Sequence, residues 1–339
     1  MDSASHYYQP AEWAAHKACW VAWPSHGDLW QEHLTPAQAE FVALCREIAA
    51  SEKLEVLVLD ENGKHQVEAA FHGLSFRTHL IPFGDIWLRD TAPVFLKSRS
   101  DGSPLAATFR FNGWGGKYLL PGDPEVAARV AAASHTPARA FSWILEGGSV
   151  EVDGEGTCLT TRQCLLNPNR NGLNESAITD HLTQALGARK VLWLGDGLLN
   201  DHTDGHIDTI ARFVAPGRVV CMRAQSGNDP NREVMAGIAS ELRGFTDAGG
   251  KRLEVIEIPS PGKVIDEEGK ILPASYVNFY IANESVIVPV YGSPFDEPAV
   301  KAIASLFPGR RTVGHSARAI LSGGGAFHCI TQQQPSEDA

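Results

Sequence analysis

Hydrophobic and polar positions along the chain follow two periods that take turns from end to end. Residues 36–50 (PAQAEFVALCREIAA) place apolar side chains every three or four positions and predict a helix. Thr35 is its expected N-cap, with Pro36 at the first helical position. LEVLVLD (54–60) then becomes densely apolar and predicts a strand. Helical spacing returns at 124–133, 174–187, 231–243 and 296–307. Strand patterns occupy 17–23, 77–83, 106–111, 148–152, 156–161, 190–194, 206–214, 218–222, 252–258, 276–282, 285–291 and 326–333. Strands outnumber helices by more than two to one, whereas a doubly wound parallel sheet needs about one helix per strand. No GxGxxG follows a strand, so the phosphate loop of a dinucleotide fold is missing. The helix spacing suits five units of two or three strands plus one helix, roughly 68 residues each, a propeller-like repeat visible only as pattern. The stretch 259–275, rich in Pro, Gly and charge, is the best loop candidate.

Composition then removes several classes. The chain has 339 residues, 43% hydrophobic and 20% charged, which is globular and not disordered. Length alone favours about two domains. The 29 basic and 40 acidic residues leave a net charge of −11. That argues against a nucleic-acid binder and mildly favours a small cationic substrate. No apolar run reaches the ~20 residues of a membrane span. The start, MDSASHYYQPAEW, has neither a basic region nor an apolar core, so the expectation is no secretory signal and a cytoplasmic location. The cysteines (Cys19, Cys45, Cys158, Cys164, Cys221, Cys329) are scattered without a CxxC, so free thiols are expected.

Four segments carry candidate chemistry. NDHTDGHIDT (200–209) gathers Asp201, His202, Asp204, His206 and Asp208. As a metal site, His202 and His206 would share a helix face. As a strand, HIDTIARFV would turn His206 and Asp208 to one face, suited to proton transfer and to holding a cation. A capped turn is the plainer reading. In GDIWLRDTAPVF (84–95), Asp85 and Asp90 flank Trp87 and Arg89. Their odd separation on an extended segment would aim one carboxylate at a pocket and leave the other to brace the loop; a solvated ion pair is the alternative. In SGGGAFHCITQQQP (322–335), Cys329 follows a glycine run and adjoins His328. A lone cysteine is usually an inert buried thiol, but a nucleophile beside a cation would look like this. In LEGGS, Glu146 precedes two glycines and can reach inward; Asn278 in SYVNFYIAN is either a core amide or a ligand contact.

In their order, QPAEWAAHKACWVAWPSH (9–26), WLRDTAP, FNGWGGK, LEGGS, LTTRQCLLNPNRN, DGHID, SYVNFYI and GGGAFHCITQQQP resemble the agmatine deiminase and Porphyromonas-type peptidylarginine deiminase family of the guanidino-group modifying superfamily. The resemblance implies an α/β fold, a five-bladed α/β propeller (pentein fold) with pseudo-fivefold repeat. It implies one catalytic domain over 1–339 with its core at about 9–335. Cys329 matches the nucleophile, Asp90 and Asp208 the carboxylates that grip a guanidinium, His206 the acid/base and Glu146 its support. Trp87 matches an aromatic wall and Asn278 a position near the reacting end. Trp114 and His202 fall in segments expected at the pocket. The implied activity is hydrolysis of agmatine to N-carbamoylputrescine and ammonia through an amidino-cysteine, with no cofactor, no metal, a small cationic guanidino substrate and a homodimeric assembly. The alternatives are a deiminase of another guanidino compound, such as an arginine derivative or peptidylarginine, an amidinotransferase, a non-catalytic propeller, or a metal-dependent hydrolase on His202, Asp204, His206 and Asp208. Two departures bear on substrate choice: DHTDGH places His202 where the family often has Asp, and FRFNGWGG places Arg110 and Phe111 before Trp114.

Overall fold

The β-rich stretches assemble into five separate sheets of three or four strands. The structure is a computed structural model that describes residues 6–337; positions 1–5 and 338–339 of the expected 1–339 domain lie outside the described residues. The same order recurs in every sheet: an antiparallel pair, then a parallel partner. Val94–Ser98 and Pro104–Arg110 are antiparallel, and Ala138–Ile144 joins in parallel. Glu151–Val152, Thr157–Thr161 and Lys190–Leu194 repeat this, as do Ala211–Ala215, Arg218–Arg223 and Glu254–Pro259. Tyr280–Ile281, Ser285–Val290 and Arg311–Ser316 form the fourth set. The fifth joins the two ends of the chain: Gln332–Pro335 pairs antiparallel with His16–Ala22, which runs parallel to Lys53–Val58 and then Phe76–Leu80.

A parallel pair needs a long crossover, whereas an antiparallel pair needs only a turn. The five predicted helices are those crossovers: Leu34–Ile48, Asp123–Ala133, Glu175–Leu186, Arg232–Gly244 and Asp296–Leu306. Each buries one apolar face, as Leu34–Ile48 does with Ala37, Phe41, Leu44, Cys45 and Ile48. All six cysteines are free. Among the described residues no helix is long and apolar enough to cross a membrane.

Several elements differ from the expectation. The first long helix begins at Leu34, so Thr35 lies inside it and does not cap it. A further helix, Glu61–Ala70, is capped by Asp60, whose carboxylate accepts from the Gly63 amide at 2.8 Å. Only Gly63 and Val67 of it are buried, so it carries no apolar stripe to read. Ala138–Ile144 and Arg311–Ser316 are largely exposed strands and gave no hydrophobic run. Four predicted strands start too early. The segments at 148–152, 206–214, 276–282 and 326–333 shrink to Glu151–Val152, Ala211–Ala215, Tyr280–Ile281 and Gln332–Pro335. The residues lost in each case are turns packed with buried apolar groups such as Ile207, Phe279 and Phe327, which imitate a strand.

Candidate active site

Those turns carry the candidate chemistry. Each of the five sheets has one just before the strand whose antiparallel partner carries the parallel pairing; in the first sheet, where Tyr7–Tyr8 adds an outer strand, this is Val94–Ser98. Leu88–Thr91, a single helical turn, brings Asp90. The 3-10 turn Gly147–Ser149 follows Glu146, and the 3-10 turn Ile207–Thr209 holds Asp208 and follows His206. Irregular backbone at 276–279 holds Asn278, and that at 326–330 holds Cys329. His206 and Asp208 therefore do not lie on a strand; the turn, not a shared strand face, brings them inward. Likewise the segment from Asp85 to Asp90 is not extended, yet the two carboxylates do divide their tasks. Asp85 accepts from the indoles of Trp30 and Trp87 at 2.9 and 2.8 Å and anchors both rings. Asp90 accepts from the Gly148 amide at 2.9 Å and the Trp114 indole at 2.8 Å.

Convergence is tightest around Gly148. A Cβ there would stand 2.7 Å from His206 Nδ1, 3.0 Å from Asp208 Oδ2 and 3.0 Å from Asp90 Oδ1. Three titratable groups from two sheets thus meet at a glycine supplied by a third, a point that only a glycine leaves open. His206 Nδ1 lies 3.8 Å from Asp90 Oδ2. Asn278 donates to the Cys329 sulfur at 3.2 Å, and its carbonyl accepts from the His328 amide at 3.1 Å. Cys329 Sγ is 3.7 Å from Asp208 Oδ2. Glu146 accepts from Arg170 Nε at 2.6 Å through one oxygen, and its other oxygen has no partner among the described residues.

Electrostatics follow from burial and from these neighbours. Burial, then the Asp208 and Asp90 carboxylates, push the Cys329 thiol well above its ordinary range. Burial alone would lower the His206 imidazole, but Asp90, the Cys164 sulfur and Glu146 outweigh it and hold it well above the usual range. Burial raises Asp90. For Asp208 burial is opposed by its bond to His328 and by His206 and Arg212, which keep it low. The site therefore holds a neutral thiol among carboxylates, and a bound cation is what would stabilise a thiolate there.

A cavity of about 260 Å³ leads to this cluster. Trp30, Trp87, Trp114, Tyr118 and His202 line it, and it reaches Asp90 and Cys329. Asp208, His206, Glu146 and Asn278 do not line it and lie buried behind. The glycine run is required by close approach: a Cβ on Gly325 would be 2.7 Å from Trp87 and 3.0 Å from Cys329 Sγ, and one on Gly324 (φ +112°) 2.9 Å from His202. The four proposed metal ligands do not come together. His202 faces Lys270 Nζ at 3.4 Å, Asp204 is held by Lys117 and Arg170 at 2.5 and 2.8 Å, and Asp208 is bonded to His328. Two cations already neutralise Asp204 and His328 holds Asp208, so neither carboxylate of the metal-dependent reading joins His202.

Behind the site lies a network that the sequence reading missed. His328 Nδ1 contacts Asp208 Oδ2 at 2.7 Å, and its Nε2 contacts Glu12 Oε2 at 2.8 Å. Arg212, fully buried, stands 2.9 Å from the same Glu12 oxygen and 2.8 Å from Glu151. Arg89 donates its backbone amide to the Cys329 carbonyl at 3.1 Å and its guanidinium to Gln333 at 2.7 Å. The available signal was Arg212 inside the apolar run IARFV, since a charge there must find a buried partner.

Comparison with known proteins agrees with the geometry. Residues 8–335 match the model of the Porphyromonas-type peptidyl-arginine deiminase family. The agmatine deiminases of Stutzerimonas stutzeri and Medicago truncatula are each 37% identical to this chain, over 97% of its length and 96% of theirs. The solved agmatine deiminase of Enterococcus faecalis is 32% identical and superposes with a TM-score of 0.91, covering 98% of this chain and 96% of that one. The chain thus belongs to the Porphyromonas-type peptidyl-arginine deiminase family, as its ordered motifs implied.

Proposed function

We propose that this chain is an agmatine deiminase, which hydrolyses agmatine to N-carbamoylputrescine and ammonia. The observation that carries the reading is the meeting of Cys329, Asp208, Asp90 and His206 beyond a tryptophan-lined cavity, in a chain 37% identical to agmatine deiminases over nearly its whole length. A guanidinium stays charged and planar at any working pH. Asp90 and Asp208 hold its two edges and fix the central carbon beside Cys329. Trp87 and Trp114 supply aromatic faces for the cation and the methylene chain.

The substrate cation stabilises the Cys329 thiolate as the thiol proton leaves to solvent, and the thiolate attacks the guanidinium carbon to form a C–S bond while the C=N π pair moves onto nitrogen. His206, held protonated by Asp90 and Glu146, gives its proton to the departing nitrogen. The C–N bond breaks and ammonia leaves. The neutral His206 then takes a proton from water, whose oxygen attacks the amidino carbon. As the C–S bond breaks, the added hydroxyl gives its proton to the leaving sulfur, so Cys329 returns as the thiol and the carbamoyl product is released. Asn278 orients the sulfur, and Glu146, itself fixed by Arg170, supports the positive charge on His206.

The same reading extends to the architecture. The five sheets are the blades of a five-bladed propeller, one domain over 1–339 with its core at about 9–335, whose pre-strand turns face a common centre. What supports this is the repeated strand order and the five turns bearing site residues. We hold the assembly to be a homodimer in the cytoplasm, a setting that suits six unpaired cysteines.

One observation favours a second substrate reading. His202, lowered by burial and by Lys270, is neutral and stands beside that lysine at the cavity. A guanidino compound without a distant cation would suit this better than agmatine. Ammonia release from agmatine, arginine, an arginine-containing peptide and 4-guanidinobutyrate, measured side by side, separates the two. Agmatine is expected to give the highest kcat/KM, and Cys329→Ser is expected to abolish turnover in a folded protein. Near-normal kcat/KM in that variant, or chelator-sensitive activity surviving Cys329→Ala, would overturn the mechanism.

A further inference from the structure

Beside Glu146 and His206 lies the Cys164 thiol, which makes and breaks no bond in the mechanism. Glu146, Cys164 and His206 each offer one ligand atom, and those atoms lie within 4.8 Å of one another. All three side chains are fully buried. Neither ring nitrogen of His206 nor the second oxygen of Glu146 has a hydrogen-bond partner among the described residues. Buried polar atoms are seldom left so, and three of them around a thiol make a donor set. Cys164 is fixed in the short turn Arg162–Leu165, where its amide donates to Thr161 Oγ1 at 3.3 Å.

We propose that Glu146, Cys164 and His206 form a binding site for a thiophilic divalent cation of the Zn²⁺ class, and that filling it inhibits the enzyme by capturing His206. The inhibition rests on reading His206 as the acid/base. One thiolate, one imidazole and one carboxylate are the donors that zinc takes, with the fourth position left to water. Ligand atoms at about 2.0–2.3 Å from zinc stand roughly 3.3–3.8 Å apart, so small side-chain rotations close the observed spacing. Arg170 occupies one Glu146 oxygen and leaves the other free, as an outer partner does for a metal-bound carboxylate. Asp90 lines the cavity and lies 3.8 Å from His206, which gives a cation a charged route inward. On binding, the Cys164 S–H bond breaks, its proton goes to solvent and a sulfur–metal bond forms. His206 binds through an unprotonated nitrogen and likewise releases any proton held there.

The test starts with metal-stripped enzyme turning over agmatine while Zn²⁺ is added. Inhibition reversible by a chelator is expected. Cys164→Ser and Cys164→Ala, each measured against its own metal-free rate, are expected to need at least about tenfold more Zn²⁺ for half inhibition. Equal sensitivity in wild type and both variants would place the ion on Cys329 and overturn the proposal. A second measurement needs no turnover. Co²⁺ added to Cys329→Ser protein is expected to give a thiolate-to-cobalt charge-transfer band, lost in the Cys164→Ser/Cys329→Ser double variant. No band in Cys329→Ser, or a band unchanged in the double variant, overturns the site. A metal-stripped enzyme idle on agmatine refutes the functional reading instead, and the cobalt band still decides the site.

Discussion

Gly148→Ala adds one methyl group at the point where two other sheets deliver their charged groups. Its Cβ would lie 2.7 Å from His206 Nδ1, against the 3.4 Å at which ordinary contact begins, a deficit of about 0.7 Å. Asp90 Oδ1 and Asp208 Oδ2, both at 3.0 Å, fall short by about 0.4 Å. The Gly148 φ is not in the left-handed region, so the backbone tolerates alanine and the effect is one of space. A misplacement near 1 Å at a reacting group costs on the order of 10²-fold. A loss of about 30- to 100-fold in kcat/KM follows, equivalent to about 2–3 kcal/mol of transition-state stabilisation. Overpacking should cost the fold about 1–3 kcal/mol, which a protein of this size survives. The assay is initial-rate ammonia release from agmatine, with urea unfolding in parallel. Gly237→Ala is the control, because a Cβ there meets nothing within 4 Å on the helix Arg232–Gly244. It should keep full activity and gain about 0.5–1 kcal/mol. A folded Gly148→Ala enzyme within threefold of wild type would refute the convergence of His206, Asp90 and Asp208 as the catalytic arrangement.

Other outcomes can be checked with the same measurements. Asp208→Asn removes half of the guanidinium clamp, so KM should rise and kcat fall together, for a combined loss of about 10²-fold or more; an unchanged KM would exclude Asp208 from substrate binding. Glu12→Gln leaves Arg212 without its shared carboxylate and should destabilise the fold by about 3 kcal/mol in urea, with kcat lowered through the His328–Asp208 contact; an unaltered unfolding midpoint would refute that network. Asp123 is pushed up to about 7 by burial, despite accepting from the Gly84 amide at 2.7 Å. A carboxyl raised on folding binds more protons in the native state, so stability is greatest at low pH and falls as pH rises from about 4 to about 7, by up to ~1.4 kcal/mol per pH unit. Asp123→Asn should flatten that slope in urea titrations across pH 5–8; an identical slope would show that Asp123 does not titrate there.

The regular elements were legible wherever their burial was one-sided. The five crossover helices were all predicted, because each buries a stripe that repeats at helical spacing. Glu61–Ala70 and the exposed strands Ala138–Ile144 and Arg311–Ser316 were not, because they bury too little to impose a pattern. The site shows the opposite failure. Ile207, Phe279, Phe327 and Ile330 are buried on all sides, so the turns that hold His206, Asn278 and Cys329 read as strands. The candidate residues themselves stood out because charge and amide groups interrupt apolar runs. Glu12 escaped notice because nothing beside it in sequence marks it as buried, and Arg212, conspicuous within its apolar run, does not name its partner.

The sequence by itself determined the kind of protein: an alternating α/β chain with five helices at regular intervals, and ordered motifs specific enough to identify a family. Local spacing records which face of an element is buried, and that is all such patterns need. Only the tertiary structure decided which groups meet. Cys329 and Asp208 lie 121 positions apart in sequence and 3.7 Å apart in space. Asp90, Asp208 and His206 gather around Gly148 because separate sheets end their turns at the same point. That meeting depends on long-range strand pairing, including the union of Gln332–Pro335 with His16–Ala22 at the two ends of the chain, and no local pattern carries it. The same holds for the carboxylates: Arg170 and Lys117 claim Asp204, whereas Asp90 accepts from Gly148 and Trp114 and Asp208 is bonded to His328, a division set by distance and not by order in the chain.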